Sequence, residues 1–198
     1  MPPRISVVGT GYLGATHAAC MAELGYEVVG VDVDEAKIKS LASGRVPFYE
    51  PGLESLLSTH VDAGRLRFTT SFQEAAEFAD VHFICVGTPQ RADGLAADLS
   101  HVDSAVDALA RHLTGPALVV GKSTVPVGTS REIEKRLRRL RPDADVSVCS
   151  NPEFLREGSA IGDFTHPDRV LVGVDDDRAR ELMARLYRPL ALREAPVL

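Results

Sequence analysis

Gly9, Gly11 and Gly14 stand at the spacing GxGxxG directly after the apolar run that begins at Ile5, and the next apolar run, EVVGVD, closes on Asp32. Residues of these types in this order suit one task, which is to hold a pyrophosphate against bare backbone and a ribose against a carboxylate. Gly9 lets the chain leave a strand in a tight turn, Gly11 brings main chain against the anion, and Gly14 lets the following helix lie close to the sheet. The anion then meets unpaired N–H groups at a helix start, where Tyr12 and Leu13 also lie. Tyr12 has two readings, packing or contact with the ligand. Asp32 is placed to accept from ribose hydroxyls and to repel the additional phosphate of an NADP-type cofactor. At ~5 Å and an effective dielectric of ~20 that repulsion is about 3 kcal/mol per unit charge. NAD is therefore expected over NADP.

These residues need a βαβ unit to position them, and the flanking pattern supplies one. Ala15, Ala18, Ala19 and Ala22 recur at helical spacing and give the helix after the glycines a narrow inner face, and Gly25 ends it. Apolar runs of strand length then alternate with amphipathic helices, which predicts an α/β fold of the Rossmann type, a doubly wound and mostly parallel sheet with helices on both faces. Asp34 is expected to cap a helix through Leu41 with Gly44 as its stop, and a helix from Leu53 to about Val61 leads to a strand over Leu66 to Thr69. Ser71 and Glu74 have the spacing of a capping box, and Ser100 with Asp103 resembles a cap for a helix to Leu113. VHFICV, from Val81 to Val86, reads as a buried central strand. RVLVGV, from Arg169 to Val174, reads as a further strand before a helix through Tyr187.

Composition narrows the possibilities. The chain has 198 residues, 25% of them charged and 44% hydrophobic, enough to bury a core. No apolar stretch is long enough to span a membrane, and no secretory signal core follows Met1, so a cytoplasmic protein without a membrane partner is expected. The net charge of -6 gives no reason to expect nucleic acid. Cys20, Cys85 and Cys149 lie in apolar patterns without metal spacing and read as reduced core residues, so no metal site is expected. The basic run from Lys135 to Arg141 lies on a helix bearing Ile133, Leu137 and Leu140, and reads as a solvated face.

Three polar segments stand at the C-terminal ends of predicted strands: Gly87 to Pro89, Ser123 to Pro126, and Asn151 to Gly158. In open α/β sheets the ligand lies beyond those ends, so one crevice collects these segments with the glycine loop. Glu153, just past a strand end, suits acid/base work or serves as a loop cap. Thr124, between Ser123 and Val125-Pro126, also fits ordinary turn chemistry, and Lys37 reads equally as a solvated partner of Asp34.

Read in order, the strings GTGYLG, DVDEAKI, YEPGLE, ADVHFICVGTP, DGLAADLS, KSTVPVGT, SNPEFLREGSAIGDF and HPDRVLVG resemble the UDP-glucose/GDP-mannose dehydrogenase family along nearly the whole chain, most closely its members that act on UDP-glucose. The resemblance implies a double oxidation at C6 of a nucleotide sugar, alcohol to aldehyde to acid, with two NAD molecules reduced and a cysteine carrying thiohemiacetal and thioester intermediates. It implies that Gly9, Gly11, Tyr12, Leu13, Gly14, Asp32, Lys37, Thr88 and Thr124 hold NAD, with Glu157 near the nicotinamide end. Thr124 and Glu153 would organise a water and move protons during hydrolysis. Glu153, Phe154, Leu155 and Arg156 would touch the nucleotide sugar.

By the same resemblance, residues 1–198 form a NAD-binding domain that is truncated before a central helix and a second, nucleotide-sugar domain. The cysteine nucleophile would belong to that later part, so the chain alone is expected to be inactive and the complete enzyme to be a homodimer. Members acting on GDP-mannose or UDP-N-acetylmannosamine are built the same way in this half. A non-catalytic NAD-binding module is the remaining alternative.

Overall fold

The computed structural model describes residues 2–198. In chain order its elements are β1 (Ile5–Val8), α1 (Tyr12–Glu23), β2 (Val28–Val31), α2 (Glu35–Ala42), α3 (Leu53–Asp62), β3 (Leu66–Thr69), α4 (Phe72–Phe78), β4 (Val81–Ile84), α5 (Ser100–Ala110), β5 (Ala117–Gly121), α6 (Thr129–Leu140), β6 (Val146–Ser150), α7 (Ala160–Thr165), β7 (Gly173–Val174) and α8 (Asp177–Ala191). The strands form one sheet in the order β3-β2-β1-β4-β5-β6-β7. All pairs are parallel except β6 with β7. The order reverses between β1 and β4, which is the topological switch point where such sheets bind ligands.

Period-two alternation divides the strands between two cores. Ile5, Val7, Val81, Phe83, Leu118 and Val120 face α1, α3, α7 and α8, where Met21, Leu57, Phe164 and Leu186 complete the layer. Val8, Val29, Val31, Ile84 and Val119 face the other way, onto Ala75 of α4, Val106 and Leu109 of α5, and Ile133 and Leu137 of α6. Strands buried on both faces explain why VHFICV carries apolar residues on both sides, with His82 the one polar member and also buried.

The structure departs from the sequence expectations at four places. The Ser71 box closes on one side only: Ser71 Oγ accepts from Glu74 N at 3.1 Å, whereas the Glu74 carboxylate turns to Arg67 and the Ser71 amide donates to Thr69 Oγ1. At α5 the cap comes from Asp98, whose Oδ1 accepts from Ser100 N at 2.9 Å, while Asp103 reaches across to Arg136. That helix stops at Ala110, and His112 and Leu113 then close in tighter i to i+3 bonds. Of RVLVGV, only Gly173 and Val174 join the sheet, antiparallel to β6; Val170 and Val172 instead pair with the segment 196–198.

The basic run of α6 is also more than a solvated face. Arg136 reaches α5, making an ion pair with Asp107 and a second with Asp103 at 3.1 Å, and Arg141 donates to the Ala110 carbonyl at 3.2 Å. Lys135 and Arg138 pair within their own helix with Glu132 and Glu134.

Candidate cofactor-binding site

Gly9, with φ of +89°, turns the chain off β1 against the end of β4: a Cβ there would stand 2.8 Å from Val86 Cγ1 and 2.9 Å from its backbone nitrogen. At Gly14 a Cβ would lie 1.8 Å from the Gly9 carbonyl oxygen, so the first turn of α1 packs directly on the loop. Gly11 differs, because a Cβ there meets nothing within 4 Å. The protein's own packing does not require glycine at this position, and the space leaves bare main chain accessible to a ligand. Gly11 is the N-cap of α1, and no side chain caps that helix among the described residues. Its first-turn N–H groups are thus open to an anion. Leu13 packs partly against the α1-side core, which leaves its main chain for that task.

Asp32 closes β2 and is 9% exposed. Its Oδ2 accepts from Thr10 N at 2.8 Å, Thr10 Oγ1 at 3.1 Å and Lys37 Nζ at 2.9 Å, and its Oδ1 accepts from Asp34 N at 3.1 Å. Burial alone raises its pKa, but the hydrogen bonds from Lys37, Thr10 and Asp34 outweigh burial and hold the carboxyl below its usual range. A carboxylate has about four acceptor positions, so Oδ1 retains one for a ribose hydroxyl. Lys37 therefore does two things: its amide completes the Asp34 cap, and its ammonium neutralises Asp32. Beside this pair a cleft of about 360 Å³ runs along the switch point, lined by Gly9, Gly11, Asp32, Val86, His101 and Ala105. An open helix start, a free carboxylate lone pair and an apolar-walled cleft fit a dinucleotide.

The polar segments at the strand ends are bonded into one edge. Thr88 Oγ1 donates to the Thr124 carbonyl at 2.8 Å, Ser123 Oγ donates to the Val86 carbonyl at 2.6 Å, and Asn151 N donates to the Gly121 carbonyl at 2.9 Å. Thr124 itself is exposed. Half-buried Glu153 accepts from Leu155 N at 2.6 Å, so one of its oxygens caps its own loop as the plainer reading of that residue has it. Phe154 is 59% exposed, and Leu155 is partly buried. Arg156 is engaged within the protein, forking onto Asp163 at 2.6 and 3.1 Å. Glu157 lies exposed, and its charge adds to the upward push on the Tyr12 phenol.

Four site residues were not singled out by the sequence. Thr10 orients Asp32. Buried Glu50, within YEPGLE, accepts from Tyr12 Oη and from the amides of Gly158 and Ala160. Lys122, within KSTVPVGT, is buried with its Nζ 3.1 Å from Asn151 Oδ1, and burial pushes its pKa down to about 8. Asn151 holds that amine while accepting from Tyr187 Oη at 2.5 Å and donating to the Leu171 carbonyl at 2.7 Å. Both Glu50 and Lys122 lie inside strings that carried the family resemblance, which was the available signal. The three thiols are each pushed up to about 12 by burial, as core cysteines are. Among the described residues no group of His, Cys, Asp and Glu is arranged to hold a metal.

The sequence profile described as the UDP-glucose/GDP-mannose dehydrogenase family, NAD binding domain, matches residues 3–191. This chain belongs to that family. The match is to the family's NAD-binding domain. A UDP-glucose 6-dehydrogenase of Rhizobium meliloti (strain 1021) is 50% identical over 196 residues, covering 98% of this chain and 45% of the relative. A UDP-glucose dehydrogenase structure from Pyrobaculum islandicum superposes with a TM-score of 0.95 at 42% identity, covering 100% of this chain and 46% of that one. A GDP-mannose dehydrogenase ternary complex from Pseudomonas aeruginosa superposes with a TM-score of 0.93 at 36% identity, covering 98% and 45%. The chain thus spans less than half the length of these relatives. No helix among the described residues is long and apolar enough to cross a membrane.

Proposed function

We propose that this chain is the NAD-binding half of an enzyme that oxidises the C6 alcohol of UDP-glucose to the acid with two NAD molecules in succession. The observation that carries the reading is the edge at the β1–β4 switch point, where an uncapped α1 and the Asp32 carboxylate flank one cleft. NAD, when bound, supplies the hydride acceptor for each oxidation. Gly9, Gly11 and Gly14, with the amides of Tyr12 and Leu13, receive the pyrophosphate; Asp32 and Lys37 receive the adenosine ribose; Thr88, Thr124 and Glu157 lie toward the nicotinamide. Glu153 and Thr124 organise a water and transfer its protons during hydrolysis, near the buried Lys122, whose charged form the Glu153 charge favours. The segment from Glu153 to Arg156 contacts the sugar nucleotide, Arg156 through its main chain while Asp163 holds its guanidinium.

UDP-glucose is favoured by the identity to the Rhizobium meliloti enzyme, which at 50% exceeds the 36% to the GDP-mannose dehydrogenase structure. The nucleophilic cysteine is assigned to a further domain of the complete enzyme, since Cys20, Cys85 and Cys149 are core residues here. We further infer a cytoplasmic homodimer for that enzyme, which rests on the family resemblance alone. The test compares kcat/KM for UDP-glucose, GDP-mannose and UDP-N-acetylmannosamine in an enzyme carrying this chain together with a family nucleotide-sugar domain. UDP-glucose is expected to be preferred, and preference for either other sugar overturns the substrate assignment.

A further inference from the structure

Glu50 is a carboxylate that is 5% exposed, forms no ion pair among the described residues, and touches two segments that the chain places more than a hundred residues apart. Its Oε2 accepts from Tyr12 Oη and from Gly158 N at 2.7 Å, and its Oε1 accepts from Ala160 N at 2.9 Å. Gly158 N also donates to Tyr12 Oη at 3.2 Å, and Tyr12 Oη lies 3.5 Å from the Arg156 carbonyl. Phe48 packs on the Tyr12 ring with centroids 5.3 Å apart. Tyr12 is the first helical residue after the glycine loop, and its phenol is pushed up to about 12 by burial and then by the bond to Glu50, so it stays a donor at neutral pH. Gly158, at φ +88°, turns the end of the Asn151 to Gly158 segment into α7. Three donors thus converge on one buried carboxyl group.

We propose that Glu50 is a positioning residue that holds the 156–160 loop in register with the glycine loop, so that the nicotinamide-side residues meet the cofactor preformed. The proposal rests on the reading of the switch-point cleft as the NAD site and of the loop carrying Glu157 as its nicotinamide end. A carboxamide at this position presents its NH₂ to a backbone N–H and cannot accept from all three donors. The adenosine end, at Asp32 and Lys37, makes no contact with Glu50 and is left intact by such a change. Loss of the clamp is therefore felt by a ligand that reaches the loop and not by one that stops at the diphosphate.

The test is calorimetric titration of the chain and of Glu50→Gln with NAD and with ADP, alongside hydrogen exchange at Gly158 and Ala160. NAD affinity is expected to fall at least tenfold while ADP affinity stays within twofold, with faster exchange at both amides. Unchanged NAD affinity, or equal losses for NAD and ADP, overturns the proposal, because a merely structural residue moves both ligands or neither. Tyr12→Phe, which keeps the two backbone bonds and removes the link to α1, provides a second variant expected to give the same split with a smaller loss; an equal loss for both ligands again contradicts the clamp. Glu157→Ala separates the two claims. If it leaves NAD affinity unchanged while Glu50→Gln lowers it selectively, the Glu157 assignment fails and the clamp stands; if it lowers NAD affinity while Glu50→Gln does not, the clamp fails and the assignment stands.

Discussion

Lys37 Nζ lies 2.9 Å from Asp32 Oδ2, so the acid that ends β2 meets the cleft already paired with a cation. The pair lowers the net charge that discriminates against a 2′-phosphate, and the flexible lysine stem is free to reach an incoming phosphate. Lys37→Met is expected to widen the NAD over NADP preference by roughly tenfold, or ~1.4 kcal/mol. Competition titrations of both cofactors on the variant check this. A narrowed ratio would show that Lys37 acts mainly on NAD.

His17 and His82 are fully buried in α1 and β4, and burial pushes both toward the neutral form, His82 to about 4. His17 sits between Phe83 and Phe164 at ring-centroid distances of 4.4 and 5.5 Å with neither ring nitrogen bonded, and His82 Nε2 is likewise unbonded. The unfolded chain, with His near 6.5, binds more protons than the folded chain below that pH, so stability falls as pH falls. The loss begins near pH 6.5 and, for His82, is complete near pH 4, amounting to about 3 kcal/mol. Urea midpoints are expected to decline across this window, above the range where carboxylates such as Asp163 titrate. His17→Leu flattens the decline, and an unaltered slope in that variant contradicts the assignment.

Arg136, rather than the basic run as a whole, joins α6 to α5. Its pairs with Asp103 and Asp107 are partly shielded from solvent, so Arg136→Ala is expected to lower stability by about 1 kcal/mol in chemical denaturation. Arg139→Ala, on the same run, stays within ~0.5 kcal/mol. Equal effects restore the solvated-face reading.

The chain alone is expected to give no NADH with UDP-glucose and NAD, since its thiols are buried and protonated at neutral pH. Absorbance at the NADH band checks this. Steady production that vanishes in Cys85→Ser or Cys149→Ser would refute it.

The glycine loop, Asp32 and the strands they join are legible in sequence because each follows from a local rule: spacing, period and a terminal acid. β1, β2, β3 and the start of β4 lie where the apolar runs place them, and α1 ends at Gly25 as expected. What sequence does not show is where side chains spend their bonding capacity. Glu74 and Asp103 have capping spacing, yet each is drawn to an arginine from another element, Arg67 and Arg136. Gly173 and Val174 pair antiparallel while Val170 pairs with Val197, because the RVLVGV run divides between two partners distant in sequence. Glu50 and Lys122 are ordinary surface types by composition, and apart from the strings they lie in it is the fold, by burying them against Gly158 and Asn151, that reveals them as part of the edge.

Titration of the chain with NAD and, separately, with NADP tests most directly whether the β1–β4 crevice is a NAD site built around Asp32. One NAD per chain, bound at least tenfold more tightly than NADP, with the gap closing in Asp32→Ala, is the expected result. No NAD binding, equal affinities or preference for NADP would contradict it.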